Sequence, residues 1–78
     1  MAKKPVGAST AGVYRVTEVI GTSANSWEEA ARNAVSTAAS TLRDLRIAEV
    51  TKLDVRLDED GKVAQFRTRL SLSFKYEA

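Results

Sequence analysis

Residues Val63–Tyr76 read VAQFRTRLSLSFKY, and their strict alternation decides the fold. Ala64, Phe66, Thr68, Leu70, Leu72, Phe74 and Tyr76 fall on one parity. Val63, Gln65, Arg67, Arg69, Ser71, Ser73 and Lys75 fall on the other. A period of two over fourteen residues predicts a long strand with one apolar and one polar face. Immediately before it, Asp58-Glu59-Asp60-Gly61 supplies turn chemistry, so the preceding strand returns antiparallel as a hairpin.

That preceding strand, Ile47–Leu57, changes phase part-way. Ala48 and Val50 occupy one parity and Leu53, Val55 and Leu57 the other. A straight strand cannot present both sets to one core, because a shift of one residue turns every side chain over. A β-bulge near Thr51 or Lys52 reconciles them and bends the sheet. Further upstream, Ser26 and Glu29 have the S-x-x-E spacing of a capping box, with Glu28 at the positive end of the helix dipole. Trp27, Ala30, Ala31, Ala34, Val35, Ala38, Leu42 and Leu45 then recur at helical spacing, which predicts a helix from about Trp27 to Asp44. Its alanine stripe lets another backbone come close. Val13–Ile20 (VYRVTEVI), rich in β-branched residues, is the first strand, and Gly21–Asn25 reads as the loop into the helix.

The order β-α-β-β gives an α+β fold with a three-stranded antiparallel sheet on one helix. The helix carries the chain back so that strands one and two run parallel, which places the long third strand between them. One helix covers one sheet face. The other face carries Gln65, Arg67, Arg69, Ser71, Ser73 and Lys75 beside Lys52, Asp54 and Arg56, and must meet water, a ligand or a second subunit.

Size points to the second subunit. Seventy-eight residues make one domain with a thin core, and chains this small are usually reinforced by disulfides, metals or oligomerisation. The chain has no cysteine and no histidine. That removes disulfides, thiolate and imidazole metal sites, and Ser-His or Cys-His nucleophile pairs. Partner copies remain. No recognisable acid–base or nucleophile motif is present, so the chain reads as a binding protein and not as an enzyme. Residues 1–12, rich in Ala, Ser, Thr, Gly and Pro, read as a disordered tail before a folded domain at 13–78. The tail has no apolar run, so it is not a secretory signal, and nothing approaches the ~20 apolar residues of a membrane span. A cytoplasmic protein with no membrane partner fits these features. The net charge of +2 equals the contribution of Lys3 and Lys4, leaving residues 13–78 neutral. A nucleic-acid partner is not expected, because such domains concentrate positive charge on the folded face.

Several residues invite sharper readings. Trp27 is the single tryptophan, yet its place on the alanine stripe assigns it to packing. Asp58–Gly61 lacks the twelve-residue ligand spread and closing glutamate of an EF-hand and reads as an acidic turn. Gly21-Thr22-Ser23 has one glycine and no following lysine, so it is a connector and not a phosphate loop. Arg67 and Arg69, with Arg56 and Asp54 nearby, have the chemistry to hold an oxyanion. They also suit inter-subunit ion pairs with Glu49 or Asp54, and the structural reading is preferred.

Val13 to Gly21-Thr22-Ser23, Ser26-Trp27-Glu28-Glu29-Ala30-Ala31, Thr41-Leu42-Arg43, Ile47-Ala48-Glu49-Val50 and Leu72-Ser73-Phe74-Lys75 together resemble the dodecin family. The resemblance implies β-α-β-β subunits assembled into a hollow homododecamer of cubic symmetry. Most such proteins bind flavins in pairs between subunits, for storage or to quench photochemistry. The positions matching the family's flavin site are Ile47, Arg67, Asp54 and Lys75. Ile47 stands where the family has its stacking tryptophan, Arg67 where it has a ring-binding glutamine, and Asp54 where a basic residue often follows. Lys75 alone keeps the charge of its position. Losing the aromatic platform removes about 0.5–1.5 kcal/mol per stacking contact beyond the area effect. These replacements resemble a divergent branch associated with calcium in place of flavin, for which no metal ligands are assigned. The expected function is therefore a non-catalytic homo-oligomer holding a small ligand at subunit interfaces. FMN or riboflavin is the family default, calcium or an anionic metabolite the competing ligand, and a structural shell with no specific ligand the remaining alternative.

Overall fold

The structure, a computed structural model, describes residues 12–75. The expected tail, apart from Gly12, and the last residue of the expected third strand, Tyr76, lie outside the described residues. Four elements follow in order: β1 (Tyr14–Ser23), α1 (Trp27–Ala39), β2 (Leu45–Leu57) and β3 (Val63–Lys75). The sheet order is β1-β3-β2, with both pairings antiparallel, so β3 is central as its alternation requires.

The core is small and built from the two predicted periodicities. Ala30, Ala34 and Ala38 of α1 are buried, as are Leu70 and Leu72 of β3; Val19, Ala31, Val35, Leu42 and Leu45 border them. Gly21 explains how close the helix comes. A Cβ placed there would collide with the carbonyl oxygen of Ala30 and lie 2.8 Å from the Ala34 Cβ. Only a residue without a side chain fits between β1 and α1.

Three boundaries differ from expectation. β1 continues through Gly21, Thr22 and Ser23, expected as loop, because β3 is long enough to pair them with Thr68, Arg67 and Phe66. The helix stops at Ala39, five residues before Asp44. The Ser40 hydroxyl donates to the Thr37 carbonyl at 2.6 Å, and that of Thr41 to the Ala38 carbonyl at 3.3 Å. Such local bonds compete with continuing the helix. Asp44 then adopts a left-handed φ of 57°, which turns the chain into β2 at Leu45, two residues earlier than expected. Leu42 and Leu45 still reach the core although neither is helical.

The capping box is half formed. The Ser26 side chain accepts the Glu29 N–H at 3.0 Å, but the Glu29 carboxylate does not return to Ser26. The Ser23 hydroxyl takes the Ser26 N–H at 3.3 Å, and Glu29 accepts from Ser23 Oγ and Asn25 Nδ2, each at 2.6 Å. These two bonds hold the Glu29 carboxyl below the usual carboxylate range, the serine contributing most.

The phase change in β2 is a bulge at Thr51. Pairing passes from Val50 opposite Leu70 to Lys52 opposite Arg69, and the unpaired Thr51 donates its hydroxyl to the Arg69 carbonyl at 3.2 Å. The bulge keeps Ala48, Val50, Leu53 and Val55 on the helix side of the sheet. The helix lies over β1 and β3 and leaves β2 largely bare. Val50 is 49% exposed and Leu53 53%. This chain does not finish its own core.

Candidate functional site: the open sheet face

Residues opposite each other in an antiparallel sheet share a face, so the registers define the uncovered surface as rows. Thr22, Arg67 and Asp54 form one row; Ile20, Arg69 and Lys52 the next; Glu18, Ser71 and Glu49 follow; then Val16, Ser73 and Ile47; and Tyr14 lies opposite Lys75. The face is therefore graded along β3. It is cationic near Arg67 and Arg69, acidic on both sides of Ser71, and apolar around Ser73. Val16 is 62% exposed and Ile47 54%, so the apolar end is a bare patch.

All four positions expected at a ligand site lie on this face, in two groups. Asp54 and Arg67 meet in a two-bonded ion pair, with Arg67 Nε donating to Asp54 Oδ1 at 2.7 Å and a terminal nitrogen to Oδ2 at 3.2 Å. The Arg67 fork holds Asp54 below the usual carboxylate range, with Arg69 and Lys52 adding weaker attraction, and Asp54 in turn pushes Arg67 further up. The pair is formed within one chain. Ile47 and Lys75 are at the other end of the face. Ser73, opposite Ile47, is six residues from Arg67 along β3, about 20 Å at strand rise. One chain does not bring Ile47 and Arg67 together.

The remaining cations are less constrained. Arg56 Nε donates to Gln65 Oε1 at 3.1 Å, and Arg69 reaches Glu18 only at 3.9 Å. Lys52 stands directly opposite Arg69, a like-charge pair across the strands.

Trp27 packs rather than offering a free stacking surface. Its ring meets Phe66 edge-on with centroids 5.1 Å apart, and its indole N–H donates to the Asp54 carbonyl at 2.9 Å. That bond ties the start of α1 to the strand position that carries the ion pair. The sequence reading missed Thr68, which is buried and donates its hydroxyl to the Trp27 carbonyl at 2.8 Å. A threonine among the apolar residues of β3 was the signal that could have found it. Asp58 serves its own turn, accepting the N–H groups of Asp60 and Lys62 at 2.9 Å each, while Gly61 takes φ 79°. Among the described residues no group of three or more acidic side chains is gathered to hold a metal.

Comparison with known proteins agrees with this geometry. The dodecin family model matches residues 13–77. The calcium dodecin of Mycobacterium tuberculosis is 44% identical over 63 residues, 81% of this chain and 87% of that protein. Its crystal structure, described as having a novel calcium-binding site, superposes with a TM-score of 0.74 at 43% identity, covering 83% of this chain and 91% of that one. The dodecin of Streptomyces coelicolor gives a TM-score of 0.81 at 42% identity, covering 88% and 97%. The match spans all four elements and the graded open face: this chain belongs to the dodecin family.

Proposed function

We propose that this chain is a non-catalytic subunit of a hollow homo-oligomer, a dodecamer by family resemblance, that binds a cation at contacts between its copies. Dodecins form homo-oligomers and are ligand-binding proteins rather than enzymes. The observation that carries the reading is the division of the open face. Ile47 and Arg67 lie about 20 Å apart on one chain, so a small ligand touches both positions only where two copies meet. The bare apolar end around Val16 and Ile47, and the bare side of β2, favour the same arrangement, since burying them supplies the core that one copy lacks.

The choice of cation over flavin follows from side chains. Ile47 offers no aromatic plane, and two Arg67 nitrogens are already engaged by Asp54. Glu18 and Glu49 flank Ser71 on the same face. Calcium takes six to eight oxygen ligands, more than this row supplies, so the ion would draw oxygens from several copies. Similarity to the calcium dodecin supports this ligand. Flavin, as FMN or riboflavin, is the second reading, favoured by the exposure of Ile47, Asp54 and Lys75, beside a half-buried Arg67, at the positions matching the family site. In this reading residues 13–78 form the working domain, residues 1–12 are an appendage, and the protein acts in the cytoplasm.

Native mass spectrometry, with calcium titrations followed by melting temperature, tests the proposal. A ligand present at about one hundred times its Kd adds roughly 2.7 kcal/mol of stability. The expected result is a closed oligomer whose melting temperature rises with calcium and falls back with chelator. A folded monomer at low concentration would remove the interface. An oligomer indifferent to calcium would leave flavin or an unliganded shell, separated by quenching of added FMN.

A further inference from the structure

Trp27, the first residue of α1, is held from two strands at once. Its indole N–H donates to the Asp54 carbonyl of β2 at 2.9 Å, and its own carbonyl accepts the Thr68 hydroxyl of β3 at 2.8 Å. Thr68 is buried, so its hydroxyl depends on that carbonyl for a partner. On the opposite side of the sheet Asp54 closes on Arg67, the residue before Thr68, through bonds of 2.7 and 3.2 Å. The four residues form a circuit through the sheet: Asp54 to Arg67 on the open face, Arg67 to Thr68 along the chain, and Thr68 through Trp27 back to Asp54 on the helix face. No other hydrogen bond among the described residues joins α1 to β2. The stretch of β2 that carries Asp54 needs such a tie. Lys52–Arg56 pairs with β3 between two irregularities, the bulge after Val50 and a second shift between Arg56 and Leu57, so the ladder on either side does not fix it. A slip of one residue there would turn the Asp54 side chain away from Arg67.

We propose that Trp27 is a positioning residue for the open face: by pinning the Asp54 carbonyl it fixes the register of Lys52–Arg56 and keeps the Asp54 carboxylate closed on the Arg67 fork. The role rests on the reading of the open face as the ligand-bearing surface. With both of its oxygens engaged, Asp54 is withheld from a cation, which then meets Glu18 and Glu49 on the row around Ser71. Trp27 thus acts on ligand choice from the far side of the sheet, without touching the ligand.

Trp27 is the single tryptophan, so the fluorescence of the full-length oligomer reports on it directly. Coupling between two sites is reciprocal, so loosening the ion pair must be felt at the indole. Arg67→Gln removes the fork, which makes no bond to Trp27, and should shift the emission to the red as the indole N–H loses its fixed partner. Arg56→Gln removes the same charge from the same face two residues from Asp54, where Arg56 bonds Gln65, and should leave the emission in place. Trp27→Phe keeps a ring against Phe66 and deletes the N–H. In a double-mutant cycle with Arg67→Gln, urea unfolding at fixed protein concentration should show the two changes coupled by about fivefold or more in the unfolding equilibrium. The cycle with Arg56→Gln should be additive. Native mass and circular dichroism establish that each variant assembles and folds, and if Trp27→Phe does not, the emission of Arg67→Gln decides alone. Unmoved emission in Arg67→Gln overturns the proposal, as does an equal shift in Arg56→Gln or an additive cycle of Trp27→Phe with Arg67→Gln. Calcium enters neither measurement. An oligomer indifferent to calcium would end the cation reading and leave the coupling standing, whereas unmoved emission beside a calcium-raised melting temperature would end the coupling alone.

Discussion

Replacing Gly21 by alanine probes the contact on which the core depends. The added methyl carbon would overlap the Ala30 carbonyl oxygen, lie 2.8 Å from the Ala34 Cβ and 3.0 Å from the Ala30 carbonyl carbon. Ordinary carbon contacts begin near about 3.5 Å, so α1 must lift from β1 by roughly half an ångström or more. A gap of roughly 0.5–1 Å forfeits a quarter to a half of the dispersion attraction across it. The contacts affected are those of Ala34 and Ala38 with Leu70 and Leu72, the bulk of the core. Overpacking usually costs about 1–3 kcal/mol. Here the obstructing atom belongs to the backbone and cannot change rotamer, so a loss of about 3 kcal/mol or more is expected. That is a large part of the roughly 5–15 kcal/mol that holds a domain together. Urea unfolding of the assembled protein at fixed concentration measures it. Gly61→Ala is the contrast. No atom lies within 4 Å of a methyl group placed there, and the cost is that of the positive φ of 79°, about 1 kcal/mol. A further variant, Gly21→Ala with Ala34→Gly, should remain destabilised because the carbonyl clash persists. If Gly21→Ala unfolds at the same urea concentration as the parent, or if Ala34→Gly restores it, the account of helix packing is wrong.

Other outcomes follow from the same geometry. Ile47→Trp restores an aromatic plane at the exposed end of the open face, and added FMN should lose fluorescence on binding; no quenching would mean that more than the stacking residue has been replaced. The carboxyls of Glu29 and Asp54 are both held below their usual values, by Ser23 with Asn25 and by Arg67 respectively. A depressed folded-state pKa contributes stability that is fully present above the usual carboxylate value, about 4, and is lost as pH falls through the lowered one. Melting temperature should therefore drop below about pH 4, and Glu29→Gln should flatten that acid limb while lowering stability at neutral pH. An unaltered acid limb in this variant would assign the acid sensitivity elsewhere.

How much was legible beforehand depended on whether the signal was local. The period of two in Val63–Lys75 marked the central strand because β3 has one covered face and one open face. The broken parity of β2 located the bulge, since a core on one side leaves no other way to bury part of both apolar sets. The helix end was misread because Leu42 and Leu45 keep helical spacing and do reach the core, but from the connecting segment and the first residue of β2. Periodicity reports which residues are buried and not the backbone that buries them. The extension of β1 through Ser23 was hidden for a related reason: Gly21-Thr22-Ser23 looks like a loop until the length of β3 supplies partners for it.

The sequence by itself thus determined the element order, the antiparallel sheet and the identity of its polar face, all of which depend on neighbours within a few residues. Only the tertiary structure decided who touches whom on that face. Arg67 finds Asp54 across a strand pair, and Ile47 stands about 20 Å away. Such meetings are set by strand register and by the angle at which a turn leaves the core. No pattern along the chain encodes either one locally.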